Sequence, residues 1–382
     1  MSDATTIAFA AQLLELVHHA ETTASYKYAL LTALIELAVE RHGAGVEVDT
    51  LTTRELASRV LELYWPQARR FHGRERLRQI GARGRSLVDR IAEFRESLDA
   101  ADSSSPQLAA RRSPAEYRRL LDEVEWIVIR NPLPRLQRIG NRELELLYEP
   151  DWQLDPPQAP VRRYQRQRDA NREFDNRVRL LPGVAAKLAV LAPLFLPLIR
   201  HEWTEFVARR NKQLSPEARL EEFLFVPGRE QLRALRPDLA RLQAQRCFYC
   251  GAALRGTSDV DHFLAWSRCG ASAIENLVVA HPGCNNDKSD HLVAARHLDA
   301  WIDRLDSRGD DLQGIAEARH WYAEPSRIGA LVRGSYLDLA ARTPLWAERG
   351  RWVNAGDEPL KRSTRALARV LRRSAARVTM SG

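Results

Sequence analysis

Apolar residues recur at helical spacing through the first hundred residues of this 382-residue chain. Residues 25–43 (SYKYALLTALIELAVERHG) carry one long apolar stripe and run into Gly43, a residue type that commonly ends helices. Residues 51–65 (LTTRELASRVLELYW) place Thr52 three positions before Glu55, which is the spacing of a capping box. Both stretches therefore predict helices whose apolar sides pack in a core.

The pattern changes in the middle of the chain. EWIVIR (125–130) and ELELLYE (143–149) are short runs rich in β-formers, separated by turn signals, and they predict a small β-hairpin. ADSSSPQLAARRSP (101–114) predicts a flexible joint, with a domain boundary near residue 105. Residues 183–211 predict one or two buried helices kinked by proline.

Helical spacing returns after residue 310 and continues to the end of the chain. Residues 360–378 (LKRSTRALARVLRRSAARV) set an apolar face of leucine and valine against a face crowded with arginine. Such a helix can lie along a phosphate backbone, and it can equally be a solvated surface helix. The sequence alone leaves both interpretations open.

Charge adds a preference for polyanions. The formal net charge is +8, and almost all of the positive charge is arginine, which suits bidentate phosphate contact but is also typical of chains encoded by GC-rich DNA. The most apolar run (188–199) is only twelve residues long and contains two prolines, so we expect no membrane span. With no basic leader at the N-terminus, a cytoplasmic protein is expected, and its four cysteines are expected to bind metal instead of forming disulfides.

Two knuckle spacings lie close together in the second half of the chain. Cys247 and Cys250 form a C-x-x-C pair, and His281 and Cys284 form an H-x-x-C pair. Two such pairs supply the four sulfur and nitrogen ligands that structural Zn²⁺ prefers. Cys269 is the rival fourth ligand, but it has no knuckle partner and is better explained as a packing residue.

A second set of polar residues lies between the knuckles. A zinc ion with four protein ligands has no open position, so any chemistry must use other residues. Asp261 and Asn285 offer hard oxygen ligands for Mg²⁺ or Mn²⁺, and His262 beside them could take a proton from water. Taken singly, an Asp-His pair is more often a surface turn, and neighbouring strand residues reach one site only where the strand ends or bulges.

Together, the segment CFYC…DVDHFLAW…ENLVVAHPGCNNDKSD resembles the HNH endonuclease family. The resemblance covers about sixty residues from Cys247, less than a fifth of the chain. It implies a ββα-metal fold in which a strand carries an Asp-His pair and a following helix carries further metal ligands. The zinc knuckles match the Cys-rich subset of that family.

The resemblance also implies roles for individual residues. His262 becomes the general base, Asp261 and Asn285 become ligands of a catalytic divalent ion, and Asn276 matches the central asparagine that holds the strand hairpin. Lys288 matches a lysine often found one helical turn later, where it could face phosphate. Two departures stand out: His281 replaces a knuckle cysteine, and Asn285 stands where many members carry histidine. Asn286 is the alternative second ligand.

The predicted fold class is therefore mostly α with a small α+β module. We expect four segments: an N-terminal helical domain (1–105), a mixed helical region with a hairpin (106–243), an HNH nuclease domain with structural zinc (244–306) and a basic helical region (307–382). The expected activity is metal-dependent hydrolysis of DNA, as a monomer that nicks or a homodimer that cuts both strands. A role in defence against foreign DNA is a hypothesis that rests on the family resemblance. The alternatives are a non-catalytic zinc-dependent DNA-binding module and a nuclease acting on RNA.

Overall fold

The computed structural model describes residues 3–19, 24–46, 49–73, 75–80, 85–100, 102–167, 174–214, 219–225, 229–356 and 358–380. They form two compact units, the first made of Met1–Ala38 with Glu47–Phe225 and the second of Val39–Val46 with Val226–Gly382. Within the described ranges the fold is mostly helical and contains four two-stranded antiparallel sheets. This confirms a mostly α protein with small sheets. The four segments expected from the sequence differ from these two units, and their independent folding stays a prediction.

The first unit is built mainly from helices, and its elements follow one another in chain order. They are α1 (Asp3–His19), most of α2 (Tyr26–Ala44), β1 (Thr50–Thr52), α3 (Thr53–Tyr64), α4 (Leu87–Glu96), α5 (Pro106–Arg112), α6 (Pro114–Arg130), α7 (Pro132–Arg135), β2 (Arg138–Ile139), β3 (Arg142–Glu143), α8 (Gln158–Gln167), β4 (Arg177–Arg179), α9 (Val184–Arg210) and α10 (Leu220–Phe225).

The capping box predicted at the start of α3 is present. The Thr52 hydroxyl accepts a hydrogen bond from the Glu55 backbone N–H, and the Glu55 carboxylate accepts one from the Thr52 backbone N–H. Both groups belong to the orphan donors of a helix N-terminus, so the pair stabilises this end of the helix. The buried face of α3, which includes Leu56 and Val60, packs against α6.

The prediction of a strand at EWIVIR is wrong, because this run is the last part of α6. Leu121, Val124 and Val128 are buried at helical spacing, so packing along one helix face overrides the β-preference of the branched residues. The predicted pairing of EWIVIR with ELELLYE therefore does not form. The hairpin found in this region is a different one, in which β2 and β3 have only two residues each around the turn at Gly140. Gly140 has φ +58, which glycine adopts without strain.

A further expectation for the first unit is wrong, and another is met by a single helix. The supposed flexible joint instead contains α5, where the Ser105 hydroxyl accepts from the Leu108 N–H and Pro106 occupies the first turn. Pro193 and Pro197 lie inside α9 without ending it, so α9 spans 27 residues. By length and composition alone α9 could cross a membrane, but a buried core helix meets the same criteria, and α9 buries core side chains such as Trp203.

The second unit contains the two knuckle pairs and the helices around them. Its elements are the end of α2, then α11 (Arg229–Leu242), β5 (Asp259–His262), α12 (Trp266–Cys269), β6 (Leu277–Ala280), α13 (Pro282–Lys288), α14 (Ala295–Ala318), α15 (Pro325–Leu337), β7 (Pro344–Glu348), β8 (Arg351–Asn354) and α16 (Glu358–Met380). The β7–β8 hairpin was not predicted, because the sequence reads as helical after residue 310.

The sequence predicts that a helix ends at Gly43. This prediction is wrong, because α2 continues to Ala44. A Cβ atom at Gly43 would lie 1.7 Å from the Ala330 carbonyl oxygen and 2.7 Å from the Gly334 nitrogen, both on α15. This glycine is therefore required for close approach of two helix backbones. The positive φ that follows the helix belongs to Gly45.

β5 and β6 form an antiparallel hairpin that pairs Asp261 with Val278 and His262 with Leu277. The outer side of β6 joins a core that includes Leu239 of α11 and Leu312 of α14. Two buried donors of α14 reinforce this packing: Trp301 Nε1 donates to the Glu275 carbonyl (2.9 Å), and Arg304 Nη2 donates to the Leu277 carbonyl (2.7 Å). Helices before and after the hairpin in sequence therefore support it.

Candidate functional site

The two knuckles bring four metal-ligating side chains to one point. The ligand atoms of Cys247, Cys250, His281 and Cys284 all lie within 4.8 Å of one another. A tetrahedral ion with Zn–S bonds of about 2.3 Å has ligand-to-ligand edges of roughly 3.8 Å. The four residues could therefore hold a zinc ion.

Hydrogen bonding orients the histidine of this group. His281 Nδ1 lies 3.3 Å from Cys250 Sγ, while His281 Nε2 lies 3.2 Å from the Ala253 carbonyl oxygen. A carbonyl accepts only, so Nε2 carries the proton and Nδ1 keeps the lone pair that a metal needs. Cys269 lies outside this group: its buried sulfur is 3.6 Å from the Leu264 carbonyl oxygen and 3.6 Å from Asn276 Nδ2.

The chemistry of the four residues also fits zinc. Burial, together with the nearby sulfurs of Cys247 and Cys250, raises the pKa of the Cys284 thiol to about 12. Three thiolates this close repel one another, and a divalent cation at their centre would remove the repulsion and hold all three deprotonated. Sulfur and imidazole are the ligands that zinc prefers.

Asp261 lies on the face of β5 that packs against α13. Its Oδ2 accepts a hydrogen bond from the Tyr249 hydroxyl (2.5 Å) and lies 3.0 Å from Lys288 Nζ. Burial raises the pKa of Asp261, while the Lys288 charge and the Tyr249 hydroxyl act against that rise. Asp261 is thus a buried carboxylate held in one orientation from two sides.

The expectation that Lys288 faces phosphate is wrong. Its side chain is fully buried, and Nζ donates to the His262 carbonyl (2.9 Å) besides pairing with Asp261. A buried carboxylate needs a compensating charge, and the lysine supplies it from the last turn of α13. Lys288 therefore positions Asp261 and the end of β5, and it does not reach a ligand in solvent.

His262 is nearly buried and points to a different partner from Asp261, as strand alternation requires. Its Nε2 lies 2.8 Å from the Ser272 hydroxyl oxygen. Burial lowers the pKa of His262 to about 3, and the Lys288 charge adds to this effect, so the imidazole is neutral near pH 7. β5 ends at His262, which is the condition under which both side chains can border one site.

Asn276 is fully buried and holds the loop after β5. Its Oδ1 accepts from the Leu264 N–H (2.9 Å), and its Nδ2 donates to the carbonyls of Leu264 and Ala271 (3.0 Å each). Its own carbonyl accepts from the Phe263 N–H (2.7 Å). The position agrees with the role implied by the family resemblance, which is to hold the hairpin.

Asn285 is half-buried and lies on the same side of α13 as β5. Its Nδ2 donates to Asp259 Oδ2 (3.2 Å), which leaves Oδ1 of Asn285 as an oxygen donor. Asp259 and Asp261 stand two positions apart on one face of the strand. The neighbouring Asn286 is exposed. Two carboxylates and one amide oxygen are a donor set that suits a hard divalent ion.

Sequence reasoning missed several residues of this site. Tyr249 lies between Cys247 and Cys250, and nothing in the sequence predicted the contact of its hydroxyl with Asp261. Its ring packs edge-on against Trp346 of β7 (centroids 5.2 Å apart) and His297 of α14 (5.6 Å). The position of Tyr249 inside the C-x-x-C pair was a sequence feature that could have pointed to its role in the site. No such sequence feature marks Ser272 or Trp346.

Comparisons with known proteins agree with this geometry. A family model described as HNH endonuclease matches residues 247–291, and a second, described as Domain of unknown function (DUF8808), matches residues 6–224. Comparison with curated proteins gave no match, and comparison with solved structures gave none either. The second family covers more than half of the chain, while the first covers both knuckles and also Asp261, His262, Asn276, Asn285 and Lys288. The chain therefore belongs to the DUF8808 family and carries an HNH endonuclease domain in its C-terminal region.

Proposed function

We propose that this protein is a metal-dependent endonuclease that hydrolyses phosphodiester bonds in DNA. The observation that supports the proposal is that Asp261 and His262 lie at the end of β5, inside the HNH match, and that Asn285 lies on α13, which packs against β5. The ββα-metal arrangement implied by the family corresponds to β5, β6 and α13. The zinc group next to it would hold the module in shape.

The oxygen donors of Asp261 and Asn285, with Asp259 beside them, would hold Mg²⁺ or Mn²⁺. When bound, such an ion supplies charge relief on the leaving 3′ oxygen. His262 is neutral near pH 7 because burial depresses its pKa. If the Ser272 hydroxyl oxygen accepts a hydrogen bond from Nε2–H of His262, then Nδ1 of His262 has a free lone pair that can take a proton from water.

The bond changes follow from these assignments. Water oxygen attacks phosphorus, its proton passes to the His262 imidazole, and the P–O3′ bond breaks. The products are a 5′-phosphate and a 3′-hydroxyl, whose oxygen takes a proton from solvent. Tyr249 and Lys288 act only by positioning Asp261.

The basic face of α16 supports a nucleic-acid substrate. Leu360, Leu367 and Val370 are buried. The exposed face carries six cationic side chains: Lys361, Arg362, Arg365, Arg369, Arg372 and Arg373. Phosphate contacts of this kind carry most of the affinity in sequence-independent binding. The same proposal includes a role in defence against foreign DNA and a cytoplasmic location. It also includes cleavage of one strand by a monomer or of both strands by a homodimer.

One observation favours a second candidate, a non-catalytic zinc-dependent DNA-binding module. Lys288 already neutralises Asp261, so that carboxylate has less charge to offer a divalent ion. In this case the zinc group would hold a basic surface, and His262 would only pack against Ser272. The two candidates differ in whether His262 is needed for cleavage.

A plasmid-nicking assay with Mg²⁺ or Mn²⁺, with and without EDTA, tests the proposal. We expect cleavage by the unmutated protein, loss of cleavage in EDTA and loss in His262→Ala. The control is His201→Ala, which changes an exposed histidine of the first unit. Absence of metal-dependent cleavage by the unmutated protein would favour the binding module, and cleavage of RNA alone would indicate a ribonuclease.

A further inference from the structure

The β7–β8 hairpin lies outside the HNH match but is fixed to the helix that carries Asn285. Asp287 of α13 accepts two hydrogen bonds on Oδ2, from Trp346 Nε1 (2.7 Å) and from the Gly350 N–H in the hairpin turn (3.0 Å). One carboxylate thus clamps both the strand and the turn. The turn is therefore held in a defined place beside the candidate active site.

The same turn presents an arginine to solvent. Arg349 is exposed, and its guanidinium lies flat over Gly283 of α13, where a Cβ atom would come within 3.3 Å of Cζ and Nη1. Within the described part of the chain, no carboxylate forms an ion pair with Arg349. The Arg349 charge acts on the nearby Asp287 carboxyl and lowers its pKa, without forming an ion pair with it. An exposed guanidinium of this kind is suited to bind a phosphate.

A tryptophan stands exposed on β8, close to the same helix. Trp352 is 42% exposed, and it alone among the nine tryptophans, all of which lie in described ranges, is classed as exposed. The His291 ring meets it edge-on, with centroids 4.5 Å apart and an angle of 89° between the planes. His291 follows Lys288 by three positions, so the indole lies beyond the C-terminal end of α13.

Arg349 and Trp352 therefore lie near opposite ends of α13. Arg351 and Arg296 share the carboxylate of Glu348 (2.9 and 3.4 Å), and Asp287 is the second carboxylate at the turn. With Arg349, the three arginines exceed these two carboxylates by one charge. Positive charge beside an exposed aromatic ring is the combination with which proteins bind single-stranded nucleic acid. In a duplex the base faces are covered by their neighbours, so a flat indole reaches only an unpaired base.

We propose that Arg349 and Trp352 form a second nucleic-acid contact beside the HNH centre. Arg349 binds a backbone phosphate, and Trp352 stacks on an unpaired base. The ligand class rests on the proposed function, and the contact adds a preference for DNA that carries a single-stranded segment next to the cleavage site.

Binding measurements with the full chain test this without cleavage. The probes are a fluorescein-labelled single-stranded DNA and the same sequence as a blunt duplex, followed by fluorescence anisotropy with Ca²⁺ in place of Mg²⁺. Trp352→Ala should weaken single-strand binding about tenfold and leave duplex binding unchanged, while Trp352→Phe, which keeps a ring, stays near the unmutated affinity. Arg349→Ala should weaken the binding of both probes. It should also reduce the slope of log K against log salt concentration by the contribution of one phosphate contact, about 0.9 for the duplex.

Arg308→Ala is the matched control, because Arg308 is an exposed arginine of α14 paired with Asp311 (3.3 Å). Equal melting temperatures and zinc contents would show that the variants fold. The inference is overturned if Trp352→Ala binds single strands normally, if it weakens both probes equally, or if the unmutated protein binds neither probe. The proposed function fails separately, through absence of metal-dependent cleavage, so the two failures are distinguishable.

Discussion

The Tyr249 hydroxyl donates a 2.5 Å hydrogen bond to Oδ2 of Asp261. Tyr249 lies between the zinc-ligand residues Cys247 and Cys250, so the knuckle and the candidate catalytic carboxylate are joined by one side chain. Binding of zinc would fix the position of the tyrosine and thereby the orientation of Asp261. A zinc ion bound there would therefore stabilise the module and connect it directly to the proposed chemistry.

Tyr249→Phe should slow DNA cleavage about tenfold, because a hydrogen bond to a charged group contributes about 1.5 kcal/mol or more. The ring packing with Trp346 and the zinc content should be unchanged, since the hydroxyl takes no part in either. Single-turnover rates and metal analysis give the measurement. A variant that cleaves at the unmutated rate would show that the hydroxyl does not orient Asp261.

Cys284→Ser should remove bound zinc and lower the melting temperature of the second unit. The variant loses one of three thiolates, and binding energy of a structural zinc site is also folding energy. Cys269→Ala is the control, because Cys269 lies outside the ligand group. Zinc loss from the Cys269 variant, with retention in His281→Ala, would reverse the ligand assignment.

Lys288→Met should destabilise the second unit by about 3–5 kcal/mol, because it leaves Asp261 as an uncompensated buried charge. The double variant Lys288→Met with Asp261→Asn should recover much of that loss, since no charge remains buried. Urea denaturation of both variants measures the difference. If the single variant is as stable as the unmutated protein, the ion pair is not required for burial of Asp261.

Cleavage should not fall between pH 8 and 6, which is where a base with the ordinary pKa of about 6.5 would lose activity. The pKa of His262 is lowered to about 3, so the proton binds only at much lower pH and the neutral form persists through this range. Initial rates at constant ionic strength provide the test. A decline with a midpoint near pH 6.5 would contradict the burial of this imidazole in the working enzyme.

Changing Arg362, Arg369 and Arg372 to Gln should weaken duplex binding and reduce the salt slope by about 2.7, since each lost phosphate contact contributes roughly 0.9. All three are exposed along α16. The control removes the same charge from exposed arginines of the first unit by changing Arg111, Arg118 and Arg119 to Gln. An equal effect of both triple variants would mean that only net charge matters.

Some features of this protein could be predicted from the short-range spacing of residues in its sequence. The capping box at Thr52 and Glu55 and the four candidate zinc ligands are defined by intervals of a few residues, which local hydrogen bonds or a metal select directly. Asn276 was identified through the family resemblance. The helix after Leu51 could be predicted for the same reason, because the residues of its buried face recur with the period of the helix.

Tertiary packing decided the rest. EWIVIR became helix because a neighbouring helix covers one side of it, and Lys288 turned inward because Asp261 needed a counter-charge. Trp346 reaches Tyr249 and Asp287 from about sixty or more residues away, on a hairpin that local pattern did not indicate. The sequence by itself determined which residues are candidates for the chemistry. Only the fold determined what each of them faces, because burial and charge pairing depend on contacts far apart in the chain.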